Sequence, residues 1–346
     1  MTTEVVQISY KIGIVGAGAA AGLHAKALQG VKGASLESIY NRSPAHGNEF
    51  AEEWGIDYIQ DYQKFLSGKN LDYIVVCTPT GTHLEFALPA AQAGKNLVIE
   101  KPLETTVNRC DKIIDAAEDN EIDLAVIFQN RFKKPAQKIK QAVKNDKLGK
   151  LVLGSAKINW YRSDDYYKDS WKGTKKYDGG GALINQGIHT IDLLQWIMAD
   201  VVAISGKVKT LTHDIQGEDV GVANLEFENG ALGVITGSTS AYPGLKEELG
   251  IYGSRGSLEL KGSEIVTWEI RDEGSSVEEL EKGGKSGASD PMDIDTQNHR
   301  RQWEEILKAR KLGEKPPVKG KEARKSVEII NSIYESSKTG NRINLA

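Results

Sequence analysis

Cysteine is scarce in this chain: Cys77 and Cys110 are the only two among 346 residues. They stand far apart and outside any CxxC or Cys/His spacing. That argues against a disulfide framework or a thiolate metal site and leaves two buried thiols as the expectation. Long apolar runs are missing as well, and none approaches the length of a membrane span. No charge of one sign dominates. The 44 basic and 48 acidic side chains give a formal net charge of −4, without the basic face that nucleic acid requires. The opening MTTEVVQISY has neither a basic start nor an apolar stretch, so it does not read as an export signal, and a cytoplasmic protein is expected.

What is present is an ordinary globular balance, 39% hydrophobic and 27% charged residues, over a length that suits two domains. The first stretch alternates short apolar runs with helical spacing: KIGIVG, ASLESIY, LDYIVVCT, NLVIE and IDLAVIF are separated by AAGLHAKALQG, PAHGNEFAEEWG, HLEFALPAAQAG and TVNRCDKIIDAAEDN. That rhythm predicts an α/β domain over residues 1–128, a doubly wound parallel sheet covered on both faces. Beyond it the runs lengthen and alternate, with ENGA and GSRGS as turn signals. Residues 129–346 therefore read as an α+β domain on an open, mainly antiparallel sheet, interrupted by the helix ALINQGIHTIDLLQWIMA. The stretch RDEGSSVEELEKGGKSGASD reads as a mobile loop, and a helical region follows from about Thr296.

The turn after the first strand, GAGAAAGLH, puts Gly16, Gly18 and Ala21 in the three positions of a dinucleotide fingerprint. Gly16 permits the tight turn, Gly18 leaves room for a pyrophosphate, and Ala21 allows close helix–strand packing. Ala19 and Ala20 open the helix whose free N–H groups would face the phosphates. At the end of the second strand, where an acidic residue would select NAD, stand Asn41, Arg42 and Ser43. They favour NADP, because an amide does not repel a 2′-phosphate; Arg42 stacked on adenine would leave NAD open.

Three further segments, CTPTGTH, EKPLE and DGGGALINQGIHTIDLL, together with QNRF and WKGT, complete a pattern that covers nearly the whole chain in order. In this the sequence resembles the glucose–fructose oxidoreductase/inositol dehydrogenase/MocA family. The resemblance implies a Rossmann domain followed by an open-sheet domain, NAD or NADP as cofactor, no metal, and sugars, cyclitols or nucleotide sugars as substrates. It further implies that Lys101 binds the reacting hydroxyl, that Thr78, Pro79 and His83 lie beside the ribose and pyrophosphate, and that Trp171 and Lys172 approach the cofactor. Glu100 and Asn130 join the expected cofactor residues. Where the family often has Asp four residues before the helix histidine, this chain has Asn185 before His189.

Alcohol oxidation needs a base for the hydroxyl proton, since the cofactor accepts only the hydride. His189 is the expected base, with Lys101 stabilising alkoxide charge and Asn185, at helical spacing i to i+4, holding the substrate or the lysine. The alternative makes Lys101 itself the proton carrier. Asp192 would orient the imidazole or be structural. Arg131 is expected to meet a carboxylate or phosphate, or to bridge the domains; Tyr161, Arg162, Tyr166 and Tyr167 are expected to bind carbohydrate. His213, Glu218 and Asp219 are weaker candidates. Two rival functions stay open, a cofactor-binding sensor without turnover and an internal redox relay for glycoside cleavage. A homo-oligomer, dimer or tetramer, is expected from the open sheet.

Overall fold

The computed structural model describes residues 9–68, 70–168, 170–271, 273–275 and 296–345. Most of the expected mobile loop falls outside the described residues.

The chain divides into two compact units. In the first, six strands run parallel: β1 (Tyr10–Val15), β2 (Ala34–Tyr40), β3 (Asp57–Tyr58), β4 (Tyr73–Val76), β5 (Asn96–Ile99) and β6 (Leu124–Val126). Their order is β3-β2-β1-β4-β5-β6, so the order of winding reverses between the parallel neighbours β1 and β4. All four residues of β4 and of β5 are buried, as strands covered on both faces must be. Five helices alternate with the strands: α1 (Ala19–Leu28), α2 (Pro44–Trp54), α3 (Tyr62–Ser67), α4 (His83–Gln92) and α5 (Val107–Asp119). Crossovers between parallel strands, right-handed as a rule, leave the carboxyl ends of the strands free for loops.

The second unit is built on a nine-stranded sheet, which adds β7 (Leu151–Asn159), β8 (Val201–Lys209), β9 (Val220–Phe227), β10 (Leu232–Ser238), β11 (Glu248–Gly253), β12 (Gly256–Lys261), β13 (Glu264–Ile270), β14 (Gly274–Ser275) and β15 (Ile343–Asn344). The order is β14-β13-β12-β11-β7-β10-β9-β8-β15, antiparallel except for the β7/β10 pair. Helix α6 (Lys134–Lys144), a short α7 (Asp164–Tyr167) and α8 (Ile188–Met198) come before β8. Gly154 of β7 faces Leu194 and Met198 of α8, so the next residue along, Leu153, faces away from the helix.

The boundary expected at 128/129 falls between Gln129 and Asn130, yet the C-terminal portion does not all belong to the second unit. Residues Thr296–Glu322, carrying α9 (Gln297–Leu312), return to the first. The last helix, α10 (Gly320–Thr339), begins there and continues into the second unit. The cause is an apolar stripe on α9. Trp303, Ile306 and Leu307 join Ile12, Ile14, Ala21, Ala25 and Leu28 in one buried cluster, and Trp303 is completely buried. Amphipathic spacing announces such a stripe but not the surface that it will cover.

Candidate active site

In the first unit, the expected cofactor residues gather at the carboxyl ends of β1, β2, β4 and β5. Gly16 has φ of +97°, a conformation glycine adopts without strain, and a side chain there would press on the Cys77 carbonyl oxygen at 3.0 Å. Gly18 is different: a Cβ built on it meets nothing within 4 Å. Immediately beyond it α1 begins, and its N-cap residue, Gly18, provides no side-chain cap. An uncapped helix start beneath an open glycine fits a pyrophosphate.

Asn41 ties the end of β2 to this turn. Its Oδ1 accepts the Ala17 N–H at 3.3 Å and its Nδ2 donates to the Ser43 carbonyl at 2.9 Å. Arg42 is exposed and Ser43 half-buried, so neither is consumed by the core. Thr78 and Pro79 are half-buried at the end of β4. His83 is buried, with Nε2 2.9 Å from the Thr78 carbonyl oxygen and Nδ1 3.2 Å from that of Leu103. It braces the loop from beneath, which gives the ring a structural use where sequence suggested a cofactor contact. Lys101 lies two residues past the end of β5 and is half-buried; Glu100, between them, is buried.

In the second unit the candidate residues converge on the start of the α8 region. The chain enters through a π-helical turn, Ala182–Gly187, before α8 proper. Asn185 lies in that wide turn and His189 in the helix after it, so their four-residue spacing does not stack them on one face as uniform α-helix would. Both are half-buried. The turn is held by Glu218, whose carboxylate accepts from Leu183 N at 2.7 Å, Tyr334 Oη at 2.9 Å and Gly181 N at 3.0 Å. Burial pushes this carboxyl up to about 7 against the pull of those donors.

Asn185 is engaged at both ends of its amide. Nδ2 donates to Oδ1 of Asp178, and Oδ1 accepts from Gln186 Nε2 at 2.9 Å. Gln186 also donates to Tyr166 Oη at 2.8 Å and accepts from Arg162 Nη2 at 2.7 Å. Asp178 closes the circuit, its Oδ2 accepting the Gly173 N–H at 2.7 Å. Beside Gly173, the Lys172 ammonium sits 3.8 Å above the Tyr166 ring, and burial lowers its pKa against the pull of Asp178. Asp178 and Gln186 were not singled out from sequence; the DGGG and INQG runs that contain them were the available signal.

Other candidates have structural partners. Arg131 is 3% exposed and its guanidinium grips both oxygens of Asp192, at 2.7 and 2.8 Å, while Ser326 donates to Asp192 at 3.0 Å. The carboxylate that Arg131 meets is thus one of the chain's own, and Asp192 is a buried brace. Asn130 lies in the short turn Gln129–Phe132 and is half-buried. Arg162 is buried between the Trp160 and Tyr166 rings. Tyr161 packs edge-on against Tyr242, which is 81% exposed, and Trp171 is exposed. Tyr167 donates to Thr239 at 3.0 Å. His213 contacts Asp164 at 3.0 Å, and Asp219 accepts from the N–H groups of Leu211, Thr212 and His213. Among the described residues no cluster of His, Cys, Asp or Glu has the makings of a metal site.

Comparison with known proteins supplies the context. Residues 10–128 match the oxidoreductase family with an NAD-binding Rossmann fold, and residues 136–259 match the GFO/IDH/MocA C-terminal domain. The oxidoreductase YrbE of Bacillus subtilis, itself uncharacterized, is 28% identical over 278 residues, 78% of this chain and 77% of that one. Myo-inositol 2-dehydrogenase of Thermotoga maritima is 27% identical, covering 76% of this chain and 78% of its own. Among solved structures, the WlbA dehydrogenase of Bordetella pertussis, in complex with NADH and UDP-GlcNAcA, superposes with a TM-score of 0.86 at 27% identity, covering 98% of this chain and 99% of that one.

Proposed function

This chain belongs to the Gfo/Idh/MocA oxidoreductase family, and from that premise we propose the catalytic assignments that follow. It is an NAD(P)-dependent dehydrogenase that exchanges a hydride with a secondary alcohol on a sugar, cyclitol or nucleotide sugar. The observation that carries the reading is in the first unit. An open Gly18 cradle at a helix start and a lysine two residues past β5 lie at the same, carboxyl end of one parallel sheet.

The bound cofactor supplies the hydride acceptor. Gly16, Gly18 and the first N–H groups of α1 hold its phosphates, with Asn41, Arg42 and Ser43 at the adenosine ribose. The exposed guanidinium of Arg42 and the amide of Asn41, where a carboxylate would repel a 2′-phosphate, favour NADP. Lys101 donates to the reacting oxygen and stabilises its developing negative charge. His189 takes the hydroxyl proton in oxidation and returns it in reduction. Asn185, locked by Asp178 and Gln186, orients the substrate side of the helix start. Both cysteines, Cys77 and Cys110, are buried thiols outside any disulfide, which suits a cytoplasmic protein.

A panel of polyols, cyclitols and nucleotide sugars, assayed with NAD and NADP by absorbance of the reduced cofactor, tests the reading. Lys101→Met and His189→Ala are each expected to lower kcat by about 10²–10⁴ with cofactor affinity retained. Near-normal turnover in both variants would overturn the assignment, and a strong preference for NAD would overturn the cofactor choice.

A further inference from the structure

Four buried side chains meet behind the end of β5. His24 of α1 is fully buried, and its Nε2 lies 2.9 Å from Oε1 of Glu100. Trp303 of α9 donates its indole N–H to His24 Nδ1 at 2.9 Å. His299, one helical turn before Trp303, brings Nε2 to 3.9 Å from the same Glu100 oxygen. The other oxygen, Oε2, accepts the backbone N–H of Lys101 at 3.1 Å. The Lys101 ammonium and the Cys77 thiol, just past β4, also lie near Glu100, and burial pushes the thiol up.

An indole nitrogen only donates. His24 Nδ1 must therefore present its lone pair to Trp303, and the ring's single proton sits on Nε2, directed at Glu100. A doubly protonated ring would set two N–H groups against each other. Trp303 thus selects one tautomer of a histidine far away in sequence, and that tautomer supplies a hydrogen bond to a carboxylate. Burial alone would raise Glu100; the hydrogen bond from His24 and the positive charge of Lys101 draw it back down.

We propose that Trp303 and His24 are positioning residues for Lys101: they hold the Glu100 carboxylate, as an anion, against the backbone amide of the lysine. The inference rests on the reading of Lys101 as the group at the reacting oxygen. It also gives the returning helix a use beyond filling the core, because α9 brings both Trp303 and His299 to the polar cluster.

Nitrogen-15 NMR of the full-length, histidine-labelled protein reads the tautomer directly. His24 is expected to carry its proton on Nε2, with Nδ1 left to accept from the Trp303 indole. Trp303→Phe, which keeps an aromatic ring but loses the N–H, should release that preference. It should also lower kcat about tenfold while leaving the cofactor KM within about twofold. Glu100→Gln should cost a similar factor in kcat. The double variant should lose little more than either single one, since both act through one chain of contacts.

Finding His24 doubly protonated, or with its proton on Nδ1, in the unaltered protein would overturn the proposal. So would losses in kcat that multiply in the double variant, as two unrelated packing defects would give. Lys101→Met separates the two levels. Normal turnover in it removes the role of Lys101, and this inference with it. Lost turnover there, with Trp303→Phe and Glu100→Gln unaffected, removes the positioning inference alone.

Discussion

A methyl group placed at Gly18 would touch nothing in the protein, which makes this position a clean probe of the dinucleotide site. Gly18→Val is expected to weaken cofactor binding by more than about tenfold, read by fluorescence titration. Its thermal midpoint should stay put, because the backbone φ of −88° suits any residue. A glycine-rich turn without a ligand would show no loss of binding. Asp192 offers the opposite case. Removing its carboxylate by Asp192→Ala strands the buried Arg131 guanidinium and should cost about 3–5 kcal/mol in denaturant unfolding. Gly16, Gly18 and Lys101 could be picked out from sequence because each follows a strand with little intervening chain. The Arg131–Asp192 clasp and the Glu100–His24 pair could not, since their members are 61 and 76 residues apart and only the folded chain brings them together.

Between residues and the whole, the π-helical turn at Ala182–Gly187 shows where sequence patterns stop. The run ALINQGIHTIDLL has the apolar content of a buried helix, and a helix is there. Its first turn is widened because the backbone is fastened from outside, by a carboxylate on the connection before β9. Periodicity carries no trace of such a partner. The strands were easier to read: continuous apolar runs marked the parallel sheet, and alternation marked the second one, although the parallel β7/β10 pair within it left no signal. Glu218 also makes this element sensitive to pH. Its folded-state pKa, about 7, lies above the usual 4.5, so the folded state holds a proton that the unfolded chain releases. The full stability is present below about pH 4.5 and is lost as pH rises toward 7, by about 3 kcal/mol for a shift of that size. Glu218→Gln should therefore unfold more easily than the parent at low pH, through its weaker acceptor set, with the gap narrowing as pH rises. A gap that widens toward neutral pH would show the sign to be wrong.

For the molecule as a whole, one face of the second sheet carries no helix among the described residues. On it Leu153 stands in register with Leu232, and Val222 and Val266 are exposed on the same side. A surface so apolar on an open sheet argues for self-association through this face. Leu232→Glu is expected to convert an oligomer to monomer in sedimentation velocity without altering the fold; a parent chain already monomeric at micromolar concentration would refute this. Among the described residues no helix is long and apolar enough to cross a membrane. The six strands of the first sheet all lie before residue 130, yet the tryptophan that seals their core lies at 303. A ribosome that has released the whole nucleotide-binding sheet has therefore not yet made the piece that closes it. Until α9 emerges, the apolar flank of α1 stays open to water. A chain cut short anywhere before Thr296 would expose that flank for good, giving chaperones and proteases a mark by which to tell an unfinished copy from a complete one.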